Sequence, residues 1–117
     1  MTDSVIIYHN PRCSKSRTTL QLLEDEGAQT EIVEYLKTPP NKQQLTEILE
    51  LLNLEPRQLM RTHEAEYKEN NLADESLSRE QLINAMVSYP KLIERPIVIS
   101  QGKAVIGRPP ENVLEIL

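Results

Sequence analysis

Cysteine is nearly absent from this chain of 117 residues: Cys13 is the only one. No internal disulfide can form, which suits a reducing compartment. One cysteine with two histidines also falls short of a four-ligand zinc site, and no carboxylates stand at spacings that would complete one. A bound metal is therefore not expected. Phenylalanine and tryptophan are missing, four tyrosines are the whole aromatic complement, and the net charge is −5. That balance argues against direct nucleic-acid binding, which favours a basic face and stacking platforms. No apolar run approaches the roughly 20 residues of a membrane span, and Met1-Thr2-Asp3-Ser4 lacks the order of a signal peptide. A cytoplasmic protein without membrane contact is expected. Internal repeats, low-complexity tracts and flexible linkers are missing too. The length suits one domain, residues 1–117, large enough to bury roughly two thirds of its unfolded surface.

The apolar run Val5–Tyr8 reads as a strand. A helical pattern follows from about Ser14 to Glu26, with Leu20 and Leu23 on its core face and Gly27 as the stop. Glu31–Tyr35, with Ile32 and Val33 available for burial, completes a strand-helix-strand unit with a right-handed parallel crossover. Thr38-Pro39-Pro40 then opens an amphipathic helix bearing Leu45, Ile48, Leu49 and Leu52. Glu55-Pro56 begins a short helix to about Arg61. Ser78-Arg79-Glu80-Gln81 has capping-box spacing before Leu82, Ile83, Met86 and Val87. Three helices are thus expected to interrupt the sheet. Pro96–Ile99 and Lys103–Ile106 flank Ser100-Gln101-Gly102 as a tight antiparallel hairpin, and Pro109–Leu117 reads as a last short helix.

Chemistry concentrates in His9-Asn10-Pro11-Arg12-Cys13-Ser14-Lys15-Ser16-Arg17, which puts the thiol at a strand-to-helix turn. Unpaired N–H groups and the positive end of the macrodipole stabilise a thiolate there and can hold an oxyanion beside it. Arg12, Lys15 and Arg17 add positive charge. A lone cytosolic cysteine is more often a small buried hydrophobe, but this setting supplies what thiolate reactivity requires.

The order β-α-β, helices, β-β-α with a cysteine at the first helix start is a thioredoxin-type arrangement: α/β, with a mixed four-stranded sheet and a helical insertion between the second and third strands. His9-Asn10-Pro11-x-Cys13-x-x-Ser16-Arg17, Tyr35-Leu36 with Pro39-Pro40, Leu59-Met60-Arg61, Asn71-Leu72-Ala73, Glu94-Arg95-Pro96-Ile97-Val98 and Gly107-Arg108-Pro109 together resemble the glutaredoxin-dependent arsenate reductases over essentially the whole chain. Ending at Leu117, it looks closest to the short arsenate-reductase-like subgroup.

The resemblance implies Cys13 as nucleophile and Arg61, Arg95 and Arg108 as oxyanion ligands, with His9, Asn10, Ser16, Arg17 and Pro96 supporting them. Guanidinium forks suit a tetrahedral oxyanion. Taken singly, each arginine reads as solvated surface charge; Arg95 and Arg108 stand apart because each adjoins a proline at an end of the hairpin. Arg61 rests on the resemblance. His9 either tunes the thiolate or is a hydrogen-bonded structural histidine, and His63 reads as surface. The resemblance also implies a cis Arg95–Pro96 bond, which turns Arg95 towards Cys13.

The mechanism so implied is attack of the Cys13 thiolate on As(V), with glutathione as co-substrate, glutaredoxin as partner and no bound cofactor. Without a second cysteine the chain cannot resolve an adduct by an internal disulfide, so external thiols are required. Two other readings compete. Spx-like regulators, which bind RNA polymerase, share the fold, but their usual second cysteine falls where Ser16 stands. A low-molecular-weight phosphatase would carry arginine at the position of Thr19.

Overall fold

The computed structural model describes residues 4–117. Within them the chain packs as two compact units: the stretch up to Thr38 together with Arg95–Leu117, and Pro39–Glu94.

The first unit holds the sheet. Strands β1 (Ser4–His9), β2 (Gln29–Glu34), β3 (Ile97–Ser100) and β4 (Lys103–Ile106) lie in the order β2-β1-β3-β4. The β1/β2 pair is parallel, and the β1/β3 and β3/β4 pairs are antiparallel, so the sheet is mixed. Helix α1 (Ser14–Asp25) connects the parallel pair. It stops where Gly27 takes φ 74° and the Ala28 N–H donates to the Leu23 carbonyl, a left-handed ending for which glycine is suited. Val5 and Ile7 of β1, Leu23 of α1, Val98 of β3, and Val113 and Ile116 form one buried cluster, with Leu20 and Val105 packed against it. One expectation needs correcting here. Ile32 is 48% exposed, because β2 is an edge strand with a neighbour on one side only. The C-terminal segment Pro110–Ile116 forms the expected short helix, of the 3-10 type.

The β3–β4 turn is as tight as its sequence suggests. Gln101 and Gly102 have φ 54° and 73°, the paired positive values that match the twist of a two-residue hairpin.

The second unit is helical: α2 (Lys42–Leu52), α3 (Pro56–Leu59), α4 (Ala65–Glu69) and α5 (Arg79–Ser88), followed by a 3-10 turn at Pro90–Leu92. The insertion thus has four α-helices where three are expected; α4 has no buried residue and so no apolar period to betray it. Helix α2 starts later than the prolines suggest. Asn41 is its N-cap and forms a reciprocal capping box with Gln44, supplying partners for the first N–H groups in a way that proline cannot. Ser78 and Gln81 make the expected box on α5. Leu45, Ile48, Leu49, Leu59, Leu82, Ile83 and Met86 are buried, and α2 and α3 both pack on α5.

Candidate active site

Sheet register gathers the functional loops of the first unit. Tyr8 pairs with Ile97, and Ile97 with Ile106, so the end of β1, the start of β3 and the end of β4 share one end of the sheet. The segments leaving that end carry Cys13, Arg95 and Arg108.

Cys13 is the N-cap residue of α1, with extended backbone (φ −95°, ψ 124°). Its N–H donates to the Asn10 carbonyl at 3.0 Å, and its carbonyl accepts from the Arg17 N–H at 3.0 Å. The loop is cross-braced by side chains. Ser16 Oγ, fully buried, accepts the Asn10 N–H at 3.0 Å and lies 2.7 Å from His9 Nδ1. Asn10 Oδ1 accepts the Arg12 N–H at 3.0 Å, and Arg17 Nη1 donates to the Pro11 carbonyl at 2.9 Å. These contacts fix the turn on which the thiol sits. Burial lowers the His9 pKa, favouring the neutral ring, with Glu34 opposing and Arg17 assisting.

Burial is the largest single influence on the Cys13 thiol and pushes its pKa up. It is outweighed by the Ser16 N–H, the Arg95 guanidinium, the Lys15 N–H and the Arg108 guanidinium, so the thiol titrates below its ordinary value. The sulfur makes no formal capping bond, yet the amides at the start of α1 favour its charged form. Arg108 Nη2 lies 3.6 Å from Cys13 Sγ.

Arg108 is also tied to Arg95: its Nε donates to the Arg95 carbonyl at 2.8 Å. Arg95 is buried, at 9% exposure. The Arg95–Pro96 peptide is cis, as expected, and so is Arg108–Pro109, which nothing in the sequence reading anticipated. Between these segments the Gly107 N–H donates to the Pro96 carbonyl at 2.9 Å. A side chain at Gly107 would lie 2.7 Å from Thr19 Oγ1 and 2.8 Å from Pro96 Cγ, so glycine is what allows the Arg108 segment to close against α1 and β3. Sequence reading missed this three-way contact because it joins residues distant along the chain. The one visible signal was Gly-Arg-Pro after the hairpin.

Arg61 belongs to the second unit. Its N–H donates to the Leu92 carbonyl at 2.7 Å, its Nη1 pairs with Glu64 at 2.8 Å, its Nε lies 3.8 Å from Glu94, and its Nη2 is 3.1 Å from His63 Nε2. His63 is exposed, as expected. Among the described residues no cluster of three or more His, Cys, Asp or Glu side chains could hold a metal ion, and no helix is long and apolar enough to cross a membrane.

A thioredoxin-like α/β fold with a lowered-pKa thiol at a helix start and two arginines beside it defines a thiolate-and-oxyanion class of site. The chain belongs to the ArsC family, whose profile matches residues 8–116. It is 59% identical over 118 aligned positions to the uncharacterized protein YfgD of Escherichia coli K12, covering all of this chain and 99% of that one. With an arsenate reductase of Haemophilus influenzae it shares 52% identity, covering 97% of this chain and 99% of that protein. The solved structure of an arsenate reductase from Vibrio cholerae superposes with a TM-score of 0.97 at 52% identity, with full coverage of both chains.

Proposed function

We propose that this protein is an oxidoreductase that reduces arsenate to arsenite through a covalent adduct on Cys13, drawing its electrons from glutathione and glutaredoxin in the cytoplasm. The observation that carries this reading is the Cys13 thiol, lowered in pKa, with the Arg108 guanidinium 3.6 Å from its sulfur. A thiolate is the attacking form, and the adjacent cation suits an incoming oxyanion. The arsenate reductases among its relatives support the choice of substrate.

In the proposed sequence the Cys13 thiolate attacks arsenic, forming an S–As bond while an arsenate oxygen departs as hydroxide or water. Arg95 and Arg108 hold the remaining oxygens and offset their charge. Arg61 is proposed as a further oxyanion ligand on the strength of the family resemblance. Glutathione then attacks the adduct, and glutaredoxin reduces the mixed product. In sum, arsenate takes up two electrons from two thiols, which end as a disulfide, with water and arsenite released and Cys13 regenerated. Ser16 occupies the position where a resolving cysteine would stand and is engaged with His9 and the Asn10 amide, which supports dependence on external thiols.

Arsenate-dependent NADPH oxidation in an assay coupled through glutathione, glutaredoxin and glutathione reductase tests the proposal. Turnover by the wild type and none by Cys13→Ser is expected. Absence of turnover in the wild type, with RNA polymerase recovered on the immobilised protein, would replace the enzyme with a regulator.

A further inference from the structure

The loop that bears Cys13 has two flanks. One faces the start of β3 and the end of β4, where Arg95 and Arg108 lie; the other faces the end of β2, the parallel neighbour of β1. On that second flank is an open cavity of about 210 Å³ lined by His9, Asn10, Pro11, Arg12, Glu34, Leu36 and Lys37. The oxyanion chemistry proposed above leaves it unused. Its lining combines two exposed cations, Arg12 and Lys37, one carboxylate, Glu34, and the apolar side chains of Pro11 and Leu36, a leucine 42% exposed.

We propose that this cavity docks the reducing co-substrate as a zwitterionic γ-glutamyl tripeptide thiol, which is the chemistry of glutathione, before its sulfur reaches the Cys13 adduct. The inference rests on the reductase reading and deepens it by giving the thiol its own subsite. Glutathione carries two carboxylates and one ammonium, and the cavity offers two cations and one carboxylate. Lys37 and Glu34 lie 3.5 Å apart, so a ligand with a carboxylate beside an ammonium, as at the γ-glutamyl end, can engage both. Arg12 is left for the glycyl carboxylate at the other end. An extended three-residue peptide spans roughly 10 Å, and its cysteine is central. Because Arg12 directly precedes Cys13, an anchor there keeps the thiol near the reacting loop while leaving the Arg95 and Arg108 side to arsenate. The two substrates are thereby separated by the loop instead of competing for the same guanidiniums.

The test uses S-methylglutathione, which cannot react, titrated into the full chain in its Cys13→Ser form and followed by amide shifts and calorimetry. The largest shifts are expected at Arg12, Leu36 and Lys37. Arg12→Glu combined with Lys37→Glu should weaken binding by about tenfold, since reversing each exposed pair alters only a modest Coulomb interaction. In the otherwise wild-type chain the same double change should raise the KM for glutathione. Sulfate affinity and the alkylation pH profile of Cys13 should not change in Lys37→Glu alone, because Lys37 is not among the groups that set the thiol's pKa. Reduction driven by 2-mercaptoethanol, which has no carboxylate, should be equally fast in Lys37→Glu and the wild type, while reduction driven by glutathione slows. Shifts centred on Arg95 and Arg108, or affinity unaltered by the double reversal, would overturn the subsite. The two readings fail separately: S-methylglutathione binding at the cavity without arsenate turnover would sink the reductase alone, and turnover without that binding would sink the cavity alone.

Discussion

The Arg108 side chain bridges two parts of the site: its Nε donates to the Arg95 carbonyl at 2.8 Å while its Nη2 lies 3.6 Å from Cys13 Sγ. One guanidinium thus orients the segment bearing the second arginine and faces the thiol. Arg108→Ala should therefore raise the Cys13 pKa and loosen the Arg95 segment together, whereas Arg108→Lys restores charge without the fork. Iodoacetamide alkylation across pH measures the first effect. In the wild type the inflection should fall below the roughly 8.5 of a free thiol. Since the folded pKa is the lower one, the thiolate contributes stability that grows as pH rises through the folded value and is lost as pH falls back through it. An inflection at the free-thiol value would remove the activated nucleophile.

Oxyanion affinity should fall by about 1.5–3 kcal/mol in Arg95→Ala and in Arg108→Ala, the worth of a lost charged hydrogen-bonding group. Sulfate or arsenate calorimetry on Cys13→Ser reads this without turnover. Arg61→Ala should show a loss of the same kind. Unchanged affinity in any of the three would take that arginine out of the site.

Gly107→Ala should cost about 1–3 kcal/mol of stability, the usual penalty for forcing a methyl into filled space. The new Cβ would meet Thr19 Oγ1 at 2.7 Å and Pro96 Cγ at 2.8 Å, and Thr19 is fully buried. Urea denaturation gives the loss. Thr19→Ser combined with Gly107→Ala should recover part of it by removing the Cγ2 methyl, which would stand 3.0 Å from the added carbon. No destabilisation in the single variant would show that the Arg108 segment is not held by this contact.

Ser16→Ala deprives both His9 Nδ1 and the Asn10 N–H of their shared partner, and should destabilise the fold by about 1–3 kcal/mol, the cost of stranding buried polar groups. The pH dependence adds a second readout. The folded His9 pKa is depressed, chiefly by burial, so below roughly 6.5 the unfolded chain takes up a proton that the native ring does not. Stability should decline as pH falls from there towards the folded value and then level off. His9→Gln should flatten that slope; an unaltered slope would assign it to other groups.

Elements with strong local periodicity or punctuation are legible in the amino-acid order alone. The apolar run of β1, the Gln101-Gly102 turn, the α2 apolar stripe and the Ser78 capping box each arise from interactions within a few residues, where pattern and propensity suffice. Cys13 stands out in the same way, because a thiol between a strand and a helix start has local consequences for charge. Other features were decided only by packing. Ile32 has strand character but lies exposed because β2 became an edge, and α4 buries nothing that could set a period. The Arg108 side chain reaches Cys13 from 95 residues away, and Gly107 meets Thr19 across 88. Contacts at such separation depend on sheet register, which pairs Tyr8 with Ile97 and Ile97 with Ile106. A local pattern can propose strands; only their joint burial chooses which ends meet, and with that choice which charges face the thiol.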